Sequence, residues 1–227
     1  MVTIPPHIER LRSNVAEVKR LVAIHGQLTG IGPGRRHDVQ VLNKSAVLLV
    51  VASWESFIEA LILSSAQFLS ENAETIADIP DKTKLCISNR LKRENHDNAI
   101  WALAGLGWKE QILAEAKDRT SRLHTPKATN IDELFMSIIG LPKLSSHWHW
   151  PGAKHENVSA RLSMLLDLRH EIAHGVETSR SVTKKYVEES NVFMIRLAAI
   201  SSNRVRMHLI GITHKIPWYT FFKGAAR

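Results

Sequence analysis

The sequence predicts an all-α fold: a bundle of helices, with a small C-terminal β-hairpin as its one β option. Three observations carry that reading. Apolar residues recur at steps of three and four along most of the chain, the spacing that gathers them on one face of a helix. Residues that start and stop helices flank those stretches. Before residue 203, no segment alternates polar and apolar residues as a half-buried strand does.

Pro5 and Pro6 suit the first turn of a helix. Ile8, Leu11, Val15, Val18 and Val22 then form one stripe, giving a helix to about Gly26. "TGIGPGRR" breaks it, and Asp38 is placed to cap a second, longer helix reaching about Asn72. Leu48, Leu49, Ala52, Phe57, Leu61 and Ile62 leave that helix apolar over much of its surface, so it is expected to be central and buried. Residues 78–125 carry a weaker helical pattern with a basic cluster at Arg90, Lys92 and Arg93. "HTPKATNIDELF" restarts a helix, with Asn130 as the expected N-cap and Glu133 completing a capping-box-like pair. "SSHWHWPG" reads as a loop. Its Trp148 and Trp150, flanked by His147 and His149, are either core anchors or part of an RNA-contacting or interface loop. A strong helix is expected from about Glu156 to His174, ended by Gly175, and another over Thr183 to Ser201.

The end differs. In "RVRMHLIGI", Arg204, Arg206 and His208 alternate with Val205, Met207 and Leu209, a strand pattern, and "IPWYTFF" would be its hairpin partner. The chain is therefore read as a helical bundle over residues 1–202 followed by a basic extension over 203–227.

Composition narrows the function. The chain has 227 residues, enough for a full core, and one cysteine, Cys86, so neither an intrachain disulfide nor a cysteine zinc cluster is available. A reducing cytoplasm fits this. "MVTIPPHIER" lacks the basic stretch and apolar core of a signal peptide, and the apolar run from Ala46 to Trp54 stops at Glu55, short of a bilayer span. A soluble, cytoplasmic protein with no membrane partner is the expectation. The formal charge of +8 and a pI near 9.8 favour polyanionic partners. No acidic residue follows Glu189, while Arg204, Arg206 and other basic residues do. On a strand, Arg204, Arg206 and His208 would share one face and could contact RNA phosphates; the other reading is a solvated basic face.

One stretch, "LRHEIAHGV" from Leu168 to Val176, supports two incompatible readings. As H-E-x-x-H, it puts His170 and His174 on one helix face as zinc ligands, with Glu171 as general base. That reading lacks a third protein ligand, lacks upstream strands to hold a substrate, and sets the fixed charge of Arg169 beside the metal. Started one residue earlier, the letters read R-H-x-x-x-H. At about 100° per residue, Arg169 falls in the middle of the stripe made by Leu162, Leu165, Leu166 and Ile172. A guanidinium there must be paired, reach out of the stripe, or line a cleft. Glu55 and Glu59 of the central helix are the candidate partners. His174 lies on the last turn, where the helix dipole favours a protonated imidazole. Arg169 and His174 stand about 140° apart on an ideal helix. Two copies packing these helices across a twofold axis could therefore assemble what one copy splits.

The residues "LLDLRHEIAHG" resemble the R-[polar]-x-x-x-H motif of the HEPN superfamily. "LNKSAVLLVVASWESFIEALI" looks like the long second helix of RiboL-PSP-type HEPN domains, and "HTPKATNIDELF" with its Trp-bearing loop is similar to their middle region. The likeness covers about residues 38–176. It implies a helical bundle, dimeric, that cleaves RNA at the dimer cleft without metal or other cofactor. Carried over residue by residue, Arg169 is the motif arginine, His170 the polar residue and His174 the motif histidine. Glu55 lies where related domains often carry a carboxylate, and Glu171 is a second supporting candidate. An endoribonuclease acting as a toxin or anti-phage effector, with an antitoxin or defence partner, is the expected function. The alternatives are a non-catalytic helical module that binds RNA or protein, and the zinc peptidase.

Overall fold

The computed structural model describes residues 4–29, 39–94 and 98–220. Helix α2 (Gln40–Asn72) organises it. Helices α1 (Pro6–Thr29), α4 (Gly107–Ser121), α5 (Ala128–Ile139), α6 (His155–Ala173) and α7 (Lys184–Thr213) all pack against it, and α3 (Asp81–Arg93) packs on α4 and α5. The reason lies in its side chains. Val47, Val50, Val51, Trp54, Phe57, Ile58, Leu61 and Ile62 are fully buried, so the helix is enclosed on most sides. Its buried hydroxyls are satisfied: Ser53 donates to Leu49 O and Ser65 to Leu61 O within the helix, and Ser70 to Lys109 O of α4 at 3.1 Å. By length and apolar content α2 alone, among the described residues, matches a bilayer span. With 61% of its most apolar window buried in this chain, the core role accounts for that composition.

Polar tethers fix the loops onto α2. Asn43 Nδ2 donates to Val182 O at 3.0 Å, holding the α6–α7 connection. Trp54 Nε1 donates to Pro126 O at 3.1 Å, holding the α4–α5 connection. Trp148, fully buried, packs edge-on against Trp54 and donates Nε1–H to Ser201 Oγ at 2.9 Å. Of the two readings for this residue, the core anchor is the one observed. Trp150 is half-buried and lies under the Arg196 guanidinium.

The all-α fold is observed: seven α-helices and no strand among the described residues. Helix α1 runs to Thr29. The Asp38 cap lies outside the described residues. Two local expectations are corrected. Asn130 does not cap α5. Lys127 is the cap residue, and Asn130, inside the first turn, donates its amide to Thr125 O at 2.7 Å. The strand over "RVRMHLIGI" is also absent, because α7 continues to Thr213. Val205, Leu209 and Thr213 stand four apart and are buried with Ala198 and Ser201, which is a helix face, while Met207, apolar but between them, is 55% exposed. Nothing between Ser201 and Thr213 stops the helix; Gly211 lies within it, with open space where a Cβ would stand. The left-handed His214, at φ 56°, ends it.

Candidate functional site

Helix α6 positions the motif. Val158, Leu162, Leu165, Leu166 and Leu168 bury one side of it. Its C-terminus closes at Gly175, whose φ of +67° is strained for any residue with a Cβ and lets Val176 N–H return to Glu171 O at 3.2 Å. The terminator read from the sequence is therefore in place, with His174 as the cap residue.

Arg169 is half-buried within the apolar stripe, flanked by the buried Leu162, Leu165 and Leu166. Its charge faces Glu55 of α2. Burial pushes the Glu55 carboxyl above the usual carboxylate range, the Arg169 guanidinium works against that shift, and the Glu59 charge adds to it. The pairing acts through space, since Arg169 enters none of the ion pairs found among the described residues. Of the two candidate partners, Glu55 is the one whose titration carries the influence of Arg169, without an ion pair to it.

His170 and His174 are exposed and adjacent, with ring centroids 4.2 Å apart. Asp167, one turn earlier on the same face, binds Lys127 Nζ at 2.9 Å. Glu171 is turned away: its Oε2 accepts from Ser179 N at 2.8 Å and Ser179 Oγ at 3.0 Å, bracing the loop after α6. The zinc reading needs Glu171 free as a base and a third ligand. Here Glu171 is engaged, and no three His, Cys, Asp or Glu side chains among the described residues are grouped to hold a metal.

The three C-terminal residues do not form one face. On α7, Arg204 and His208 stand one turn apart and Arg206 lies on the other side. Arg206 Nε donates to Trp218 O at 2.7 Å, and His208 Nε2 is 2.7 Å from Ile139 O. Burial lowers the proton affinity of His208, the Ile139 carbonyl acts against this, and Arg204 adds to it. The strand face that would have offered all three to RNA is replaced by helix-to-core tethers.

Sequence reasoning missed Lys127 and Asp167, since only the fold brings α5 to α6. It also missed a cavity of about 390 Å³ whose lining includes Arg93, Arg119, Arg122 and His124. The only sequence signal for it is the basic cluster ending α3.

An all-helical bundle whose sixth helix ends in R-H-x-x-x-H, with the arginine facing a half-buried carboxylate and the histidine at the helix terminus, defines a HEPN-type domain. The chain belongs to the RiboL-PSP-HEPN family, whose profile matches residues 9–203. That places it among HEPN-type nucleases and RNA-related modules. Neither curated proteins nor solved structures returned a match.

Proposed function

We propose that the protein is a metal-independent endoribonuclease acting through Arg169, His170 and His174. One observation carries this reading: a half-buried arginine facing Glu55 and an exposed histidine pair 4.2 Å apart sit together on the closing turns of one rigid helix. The chemistry is transesterification. One imidazole takes the proton of an RNA 2′-hydroxyl, the 2′-oxygen attacks the adjacent phosphorus, and the P–O5′ bond breaks. The leaving 5′-oxygen receives a proton from the second imidazole, giving a 2′,3′-cyclic phosphate and a 5′-hydroxyl. His174 is the principal base or acid, and His170 orients or shares the transfer. The Arg169 fork stabilises charge developing on the phosphate oxygens.

Arg169 and the histidine pair face different sides of α6, so the proposal includes a homodimer in which the arginine of one copy serves the histidines of the other. A cytoplasmic toxin or defence effector, held in check by an antitoxin, is the biological setting this reading supports. The test is cleavage of single-stranded RNA in EDTA. Cyclic-phosphate products from wild type, lost in His174→Ala and Arg169→Ala with helicity intact, are expected. Binding without cleavage by wild type would favour the non-catalytic RNA module.

A further inference from the structure

The cavity between α3, α4 and the start of α5 is lined by three guanidinium groups, those of Arg93, Arg119 and Arg122, together with His124, and one carboxylate, that of Glu133. One of the arginines is fixed from behind. Glu115, with 0% side-chain exposure, accepts Arg119 Nε at 2.7 Å through one oxygen and Arg90 Nε at 3.0 Å through the other. Held at Nε, Arg119 keeps its two terminal nitrogens without hydrogen-bond partners among the described residues, as does the Arg93 guanidinium. Among the described residues the Arg122 side chain is tied to Asp118 alone, through Nε to its carbonyl oxygen at 3.2 Å and through an exposed carboxylate pair of small strength that a better anion displaces. Several planar guanidinium donors lining one cavity, one of them held in place by a buried carboxylate, suit a phosphate group.

The cavity is linked to α6 by one short loop. Leu123, His124 and Thr125 line it. The next residue, Pro126, is held by Trp54, the neighbour of Glu55, and Lys127 then reaches Asp167 on the face of α6 that also bears His170 and His174. The loop thus joins the cavity, through His124, to the histidine-bearing face of α6, through Lys127.

We propose that this cavity is a substrate subsite: it holds a backbone phosphate of the RNA strand on one side of the scissile bond, with Lys127 between the subsite and the histidines. The proposal rests on the ribonuclease reading for what the histidines do. Phosphate contact positions the strand without reading its bases, so this subsite tolerates any sequence.

The test uses the full-length chain and a fluorescein-labelled 2′-O-methyl oligoribonucleotide, which lacks the attacking hydroxyl, with binding followed by anisotropy across a salt series. Arg119 is left alone, because removing it would leave buried Glu115 half-paired and threaten folding. The double variant Arg93→Gln/Arg122→Gln removes two charges that do not touch Glu115. Expected are a drop in affinity of about tenfold and a salt slope flattened by roughly 0.7 for each phosphate no longer neutralised, with affinity restored by Arg93→Lys/Arg122→Lys. Unchanged affinity and slope in the folded double variant would overturn the proposal. So would loss of inorganic phosphate or nucleoside monophosphate binding with oligonucleotide binding intact, which would mark a small-phosphate site. Cleavage is scored separately. If wild type fails to cut RNA yet the double variant loses affinity, the subsite stands and the ribonuclease reading falls.

Discussion

His7 gives the prediction with the most direct arithmetic. It is fully buried at the start of α1, with Nε2 3.1 Å from Ser202 Oγ and its ring edge-on to Trp218 at 4.7 Å and Phe57 at 5.8 Å. Among the described residues Nδ1 has no hydrogen-bond partner, so a charged ring would bury an unpaired N–H, and burial holds the pKa down at about 3. The unfolded chain titrates this group near 6.5. Between those two values the unfolded state binds a proton that the folded state refuses, so stability falls as pH falls. The slope is about 1.4 kcal/mol per pH unit, reaching about 5 kcal/mol near pH 3.

The substitution His7→Gln removes the titration and keeps a donor for Ser202. At pH 7 it forfeits two aromatic contacts, a loss of about 1–3 kcal/mol. The wild-type advantage should shrink by about 2.5 kcal/mol between pH 6.5 and 4.5, vanishing or reversing near pH 5. Urea unfolding of both proteins across that range measures it, and because all carboxylates are shared, their acid effects cancel in the difference. A gap that stays constant from pH 7 to pH 4.5 would refute the burial argument.

Four further outcomes follow from the structure. Trp148→Ala should cost about 3–5 kcal/mol, against well under half of that for Trp150→Ala, measured by denaturant midpoint; equal small effects would contradict the core assignment. Glu115→Ala strands Arg90 and Arg119 around an empty site and should cost about 3–5 kcal/mol, whereas an effect below 1 kcal/mol would show the triad to be solvated. Glu55→Gln should lower cleavage at pH 7 and remove the carboxylate contribution from the acid side of the pH–rate profile, leaving that of the histidine base; burial, which raises Glu55 above the ordinary carboxylate range, should make that contribution visible, and an identical profile in the variant would exclude the carboxylate. Arg169→Ala and His174→Ala, each inactive alone, should restore partial cleavage when mixed if the site is shared between copies; no recovery in a mixture shown to exchange subunits would place the whole site in one chain.

Helices that bury a continuous stripe were legible. The stripe of α1 and the apolar surround of α2 follow from local spacing alone, and Gly175 ends α6 because a left-handed turn needs no neighbour to explain it. What failed was local pattern with two solutions. Val205, Met207 and Leu209 satisfy a strand, and Val205 with Leu209 equally satisfies a helix face; the tie is broken by Ala198, Ser201 and Thr213, which lie beyond the window that suggests a strand. Asn130 likewise has the chemistry of a cap, yet it sits inside the first turn, where its side chain closes the preceding loop through Thr125.

The motif is legible for a different reason. Arg169 is conspicuous because a charge within an apolar stripe needs a partner, and that need is visible in one dimension. The charge it acts on, Glu55, lies more than a hundred residues away and is brought near only by the packing of α6 on α2. The same packing has a consequence for activity. Because Arg169 is drawn to the α2 side, it is held away from the face on which His170 and His174 pair. A helix is too stiff to turn one residue through a third of a circle relative to another only five positions on. If Arg169 and His174 act on one phosphate, the missing rotation has to be supplied by a second α6, and an activity proportional to protomer concentration down to the most dilute samples would contradict that conclusion.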